Sequence, residues 1–493
     1  MVIVTSRAAQ PVRESNANHT ERSGRLGLGV LSAYGAGSLV QDTASFGLNT
    51  LLLFYLTIVC GLSGSAAGMA LGVALVVDAF VDPLVGSLSD NSRSRHGRRH
   101  PFMIAAALPT SLALFALFSI PTGLTGLALF AYALTALMAV RIGISGFMIP
   151  YIALGAELSD DYAERSTIVA SRVLFSVVAG VVAAVLAYGV FLKGPGGQMH
   201  RGAYAPFAAS TGALMFAGAA LSILGTLRSL GRLHAAPPRQ GAAFGRFLAE
   251  IAEVFRNPSF RVLFFACLIL FISLGVSTSL TLHANTYFWK LTNPQILAIS
   301  LATTVGIFVG VFVAILAARR FEKRTLALAG IGLIGLCQLL PAPLALAGLV
   351  PLRGAVVMLL TSSFLVGIGA SSATIGFQSM MADAADEHEH LFGARREGLY
   401  FAGISLSAKA SSGIGALIAG LVLDLIGFPH GLVGHAAARA VPAAAILDLG
   451  LIYGPGAALI TSVSVAILLA YRRGRADQER IRDALAQRRE GHR

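Results

Sequence analysis

Uninterrupted apolar runs of about 20 residues recur along the whole chain, and each is long enough as a helix to cross a hydrocarbon core of about 30 Å. A backbone in lipid must satisfy its N–H and C=O groups internally, so such runs restrict the chain to membrane-spanning helices or closed barrels, and their length selects helices. Of the 493 residues, 55% are hydrophobic and only 12% are charged, whereas soluble proteins carry about 25% charged residues. The expected class is an all-α integral membrane protein, with no extramembrane domain of any size.

The runs predict twelve transmembrane helices. The first six fall at about residues 30–60, 65–89, 101–121, 124–156, 166–193 and 205–229. The second six fall at about 259–289, 294–318, 325–349, 354–386, 399–427 and 452–471. The implied organisation is an N-terminal tail (1–26), a first six-helix bundle (27–233), a central loop with an amphipathic piece from Phe244 to Phe255 (234–258), a second bundle (259–473) and a basic tail (474–493). The polar residues 1–26, with Arg7, Arg13, Arg22 and Arg25, read as a cytoplasmic tail rather than a signal peptide.

Alternate loops differ sharply in Lys and Arg. Arg93, Arg95, Arg98 and Arg99 follow helix 2, Arg319, Arg320, Lys323 and Arg324 follow helix 8, Arg395 and Arg396 follow helix 10, and Arg472, Arg473 and Arg475 follow helix 12. The opposite loops carry little beyond Lys193, Arg201, Lys290, Arg353 and Arg439. Positive loops stay inside, so both termini are expected in the cytoplasm of a multi-pass protein of the cell (inner) membrane. The same distribution accounts for the net charge of +13 without a nucleic-acid partner, because no basic face with stacking aromatics accompanies it. Cys60, Cys267 and Cys337 lie in apolar segments without metal-ligand spacing. The absence of HExxH, GxSxG and paired cysteine ligands argues against an enzyme, and no cofactor is expected.

Away from the ends of the spans, six ionisable residues fall inside them: Asp42, Asp78, Asp82, Arg141, Arg172 and Lys409. Each costs roughly 2.5 to 3.5 kcal/mol near the bilayer centre, so they are expected to converge on a polar cavity. Asp78 and Asp82, four residues apart, share one helix face. Paired carboxylates raise the affinity for a proton and also offer oxygens to a hard cation such as sodium, so their spacing leaves both open, along with simple salt bridges to Arg141 or Lys409. Asp42 and Arg172 suit the hydroxyls of a polar solute, or an ion pair linking helices 1 and 5. Helix 4 ends in Glu157, Asp160, Asp161 and Arg165, and helix 10 in Asp383, Asp386, Glu387 and Arg396, an internal echo expected of a parallel repeat.

The segment Asp78-Ala-Phe-Val-Asp82-Pro83 with Gly86, Asp90, Ser94-Arg95 and Gly97-Arg98-Arg99 resembles the glycoside-pentoside-hexuronide:cation symporters of the major facilitator superfamily. So do Pro150-Tyr151 through Glu157, Asp161-Tyr162 and Glu164-Arg165, then Asn257-Pro258-Ser-Phe260-Arg261, Asp383-Ala-Ala-Asp386 and Arg396-Glu397-Gly398. The matches extend in order from helix 1 to helix 11. The resemblance implies two six-helix bundles working by alternating access. It implies that Asp42 and Arg172 bind sugar, that Asp78 and Asp82 form the cation site, and that Lys409 lies near it. Gln41 joins the substrate group where the family has a lysine, and Ile142 beside Arg141 occupies the place of a helix 4 aspartate. Gly146 replaces a sugar-stacking tryptophan, and Val81 a polar residue between the two acids.

These departures leave few oxygens for sodium, so the expected coupling ion is a proton, with sodium as the alternative at Asp78 and Asp82 and Arg141 as a tethered cation. Lys409 belongs to both the substrate and the cation group. The resemblance also makes Asp90, Arg98 and Arg99 a gate brace, while Glu157, Arg165, Asp383, Asp386 and Arg396 suit salt bridges between the bundles. The expected activity is symport of a glycoside, sugar or sugar acid by a monomer. Transport of an amphiphile such as a lysolipid, uncoupled sugar transport and a transport-inactive sensor are the alternatives.

Overall fold

The computed structural model describes residues 26–159, 161–194, 196–227, 252–350, 352–393, 396–432 and 441–491. Twelve helices among them are long and apolar enough to cross a membrane. In chain order they are α1 Leu28–Val59, α2 Gly64–Asp90, α3 His100–Phe118, α4 Gly126–Glu157, α5 Ala163–Phe191, α6 Arg201–Leu227, α7 Pro258–Phe288, α8 Asn293–Ala318, α9 Lys323–Leu346, α10 Gly354–Phe392, α11 Glu397–Leu425 and α12 Ala443–Leu469. All but one of the predicted spans match to within a few residues at their starts. The exception is α12, which begins at Ala443 instead of near 452. Asp448 lies within the helix, and a π-helical turn, Ile452–Gly456, follows it. Most of the amphipathic piece from Phe244 lies outside the described residues.

Helix pairing repeats with a six-helix offset. In the first half α1 packs on α5 and α6, α2 on α4, and α3 on α4 and α6; in the second, α7 packs on α11 and α12, α8 on α10, and α9 on α10 and α12. The acidic echo acquires a physical meaning here. At the end of α4, Glu157 receives Arg98 at 2.8 Å and Arg99 at 3.0 Å from the loop after α2, while on α10 Asp383 receives Lys323, at the start of α9, at 2.7 Å. Each half thus ties the turn after its second helix to its fourth.

Several residues of the quoted motifs act as helix caps. The Asn257 side chain accepts from the Ser259 and Phe260 amides at 2.8 and 3.3 Å, with Pro258 opening α7 where no intrahelical donor is needed. Asp161 accepts from the Glu164 amide at 2.8 Å, at the start of α5.

Lipid exposure sorts the helices. In α1, 72% of the apolar window is buried inside the protein, against 17% in α8, so α1 is central and α8 peripheral. Large apolar side chains such as Phe312 and Leu316 on α8 and Leu425 on α11 point outward, as a lipid-facing surface requires.

The chain is longer in helix than expected at its C-terminal end. Arg475–Gly491, expected as a plain basic tail, forms α13, and its Ile481 and Leu485 are buried. It packs against the end of α10.

Candidate functional site

The six intramembrane charges gather in two groups. In the first, Asp42 on α1 faces Ser176 and the Arg172 guanidinium of α5, which also approaches the Tyr34 hydroxyl. Tyr34 stacks on Tyr151 of α4 with ring centroids 4.6 Å apart, and the Tyr151 hydroxyl donates to the Tyr34 carbonyl at 2.8 Å. Gly37 and Gly155 make room for these rings, since a Cβ at either would overlap a tyrosine. Asp42 belongs to a half-buried stripe of α1 that also includes Gln41, Ser45 and Asn49. Their neighbours Thr43, Ala44, Gly47 and Leu48 are buried. On a helix so enclosed, a half-buried polar stripe faces an internal space rather than lipid.

The second group joins the halves. Asp78 on α2 accepts from the Ser145 hydroxyl of α4 at 3.1 Å and lies 3.6 Å from Arg141 Nη1, while Asp82, one turn along, pairs with Lys409 of α11. The Asp78 side chain is 7% exposed and that of Lys409 45%, so the group runs from a dry end to a wet end. Asp82 Oδ1 and Arg141 Nε are buried without a hydrogen-bond partner, which leaves one acceptor and one donor unused inside the cluster. Two acids and two bases make the group neutral as a whole.

Beyond this cluster the halves meet toward the ends of α1, α7 and α11 that lie away from the arginine-rich loops. Asp424 of α11 accepts from the Gly64 and Ser65 amides at 2.7 and 2.8 Å, capping α2 across the halves. Thr57 of α1 shares a hydrogen bond of 3.0 Å with His283 of α7, the Gly431 amide donates to the Thr57 carbonyl at 2.9 Å, and Gln198 donates to Thr286 at 3.2 Å. Gly64, Gly68, Gly413 and Gly420 form the α2–α11 seam, where a Cβ at Gly420 would overlap the Gly64 carbonyl. At the arginine-rich end, by contrast, the ion pairs seen among the described residues join charges of one half to each other, to α13 or to the central segment. Arg99 holds Asp90 at 2.5 Å as well as Glu157. Arg165 donates to the Ser159 carbonyl at 2.7 Å, and Arg396 lies 3.6 Å from Glu253. Arg482 of α13 lies 3.5 Å from Asp383 and 3.7 Å from Asp386. Among the described residues, the partners seen for the gating residues expected to bridge the bundles thus lie in the same half, in α13 or, for Arg396, at Glu253 of the central segment.

A family model described as MFS/sugar transport protein matches residues 33–473. The chain belongs to this family. This MFS/sugar transport protein is 27% identical over 466 residues to an uncharacterized symporter of Synechocystis sp., covering 80% of this chain and 85% of the relative. It is 24% identical over 398 residues to the isoprimeverose transporter of Lactiplantibacillus pentosus, covering 78% of each. Among solved structures, its fold resembles the D-xylose-proton symporter with a TM-score of 0.60 at 13% identity, covering 90% of this chain and 97% of that one. It also resembles a bacterial homolog of the human lysosomal transporter Spinster, in an inward-facing and unoccupied conformation, with a TM-score of 0.61 at 13% identity, covering 90% and 98%. The MFS/sugar transport protein is thus a multi-pass membrane transporter and not an enzyme.

The sequence does not mark three of these residues, Ser145, Ser176 and Asp424, or the pairing of Tyr34 with Tyr151. Ser145 and Ser176 are single hydroxyls among many on apolar helices, with nothing local to mark them. Asp424 lies near the end of the span expected at about 399–427, and its capping role appears only once α2 is brought beside it. The Tyr34–Tyr151 stack joins residues 117 apart in the chain, out of reach of any local pattern.

Proposed function

We propose that this transporter is a proton-coupled symporter of a glycoside or related sugar. Asp42 and Arg172 hold substrate hydroxyls, and Asp78 and Asp82 carry the coupling proton. The observation that carries this reading is the Asp78–Arg141 and Asp82–Lys409 cluster, which is neutral, contains unused polar atoms and bridges the halves at their seam. A proton arriving at a carboxylate releases Lys409 or Arg141, and the α2–α11 contact changes with it. Sodium is disfavoured because a further cation would meet two side-chain cations already seated on the two acids. The arginine-rich end faces the cytoplasm by the positive-inside rule, so the described conformation is closed outward and inward-facing. Inward movement of one positive charge gains about 2.3 kcal/mol per 100 mV, enough for nearly fifty-fold accumulation.

The test is uptake of a panel of labelled glycosides into vesicles under imposed proton or sodium gradients, with the parent and Asp78→Asn compared. The parent is expected to accumulate a sugar under a proton gradient, and the variant to lose accumulation above equilibrium. Unchanged accumulation in the variant overturns the coupling assignment, and accumulation driven only by sodium overturns the choice of ion.

A further inference from the structure

A cavity of about 170 Å³ lies between the halves, about two turns beyond Asp42 along α1 and away from the arginine-rich end. Its wall takes Asn49 from α1, Phe271, Leu274 and Thr278 from α7, and Ser411 and Ser412 from α11. Three features define what it can hold. First, its lining carries amide and hydroxyl groups but no charge, so an ion entering it would be desolvated without a counter-charge. Second, the polar groups are divided by role. The Thr278 hydroxyl donates to the Leu274 carbonyl and the Ser411 hydroxyl to the Ala408 carbonyl, each at 2.8 Å, so both present only acceptor lone pairs to the cavity. The Asn49 amide and the Ser412 hydroxyl have no hydrogen-bond partner among the described residues, so Asn49 offers two N–H donors and a carbonyl. Third, Phe271 and Leu274 supply apolar wall. A cavity of about 150 Å³ holds one six-membered ring, so this one holds a single ring bearing hydroxyls that both donate and accept.

Asn49 follows Asp42 by seven residues on the same half-buried stripe of α1, a separation of about 10 Å along the helix. A π-helical turn, Gly47–Leu51, carries Asn49, and such turns occur frequently at functional sites. Resting on the sugar-transport reading above, we infer that the cavity is a second-ring subsite. Asp42 and Arg172 hold one ring of an uncharged two-ring glycoside, and Asn49, Thr278, Ser411 and Ser412 hold the other. A sugar acid can place its carboxylate only at the Arg172 end. Because the subsite has walls from both halves, an occupied second ring also contacts α7 and α11, which a one-ring sugar at Asp42 does not reach.

The experiment is competition against uptake of a labelled transported sugar by methyl glycosides of one ring and by disaccharides sharing that ring, in the parent, Asn49→Leu and Thr278→Val. The parent is expected to prefer the disaccharide by about tenfold or more, since each net hydrogen bond contributes about 0.5–1.5 kcal/mol and several are made. In both variants this preference is expected to fall to about twofold. A purely structural effect would weaken both competitors together and keep their ratio, and that result overturns the subsite. Equal competition by one-ring and two-ring sugars in the parent overturns it also, while leaving the transport reading intact. Absence of any sugar uptake by the parent overturns both.

Discussion

Asp42–Arg172 and Asp78–Arg141–Asp82–Lys409 are both sets of opposite charges held within the membrane, but they differ in what they join. The first lies wholly in the first half, on a half-buried stripe facing internal space. The second has three members in the first half and one, Lys409, in the second. Charges within one half move as a unit, which suits the proposed role of holding something that arrives. A pair shared between halves changes its energy when the halves move, so its protonation and the conformation are linked. Position relative to the seam, more than the kind of side chain, separates the proposed binding role from the proposed coupling role.

Four substitutions test that division, in order of falling effect. Arg141→Ala leaves Asp78 buried with only Ser145 as a partner, and removal of one member of a buried pair costs about 3–5 kcal/mol. Thermal unfolding of the purified transporter in detergent should show a marked loss, largely recovered in Arg141→Ala/Asp78→Ala. A marginal change would mean that water reaches Asp78 more freely than its burial implies. Gly420→Val forces a side chain against the Gly64 carbonyl, and overpacking of about 1–3 kcal/mol should shift the halves toward opening at the seam. Thiol labelling of Ser65→Cys in the Gly420→Val background is expected to accelerate roughly tenfold, whereas an unchanged rate would show that the seam does not govern access.

Arg172→Lys keeps the charge but loses the fork, and sugar affinity should fall roughly tenfold with little change in melting temperature. A large stability loss with intact affinity would make Asp42–Arg172 an ion pair that merely links α1 to α5. Smallest is Arg482→Ala, which removes an exposed partner of Asp383 and Asp386 and should alter stability by only about 0–1 kcal/mol, seen as a small melting shift that high salt abolishes.

Asp383 illustrates how much the sequence conveyed. Its place at the end of a helix, and its echo of the acids ending α4, could be read from spacing. Its actual partners, Lys323 and Arg482, could not, because Arg482 comes from a helix expected as a plain tail. α13 escaped detection because its apolar positions, Ile481 and Leu485, are too few to form a run and acquire meaning only against α10. The expected start of α12, near 452, falls past the actual start at Ala443, and Asp448 sits inside the helix with apolar residues on either side.

The chain alone determined that twelve helices cross a membrane, which of their ends carry positive charge, and which six charges stand in lipid-length segments. These depend on composition within a single helix and on the thickness of hydrocarbon, both local quantities. Tertiary structure decided that the charges divide into two groups, that Lys409 chooses Asp82, that Asp424 caps α2, and that a neutral cavity opens between Asn49 and Ser412. Each of these joins helices distant in the chain, and helix packing in lipid is set by close fit at small residues and by polar contacts rather than by a hydrophobic pattern that could be read along one helix.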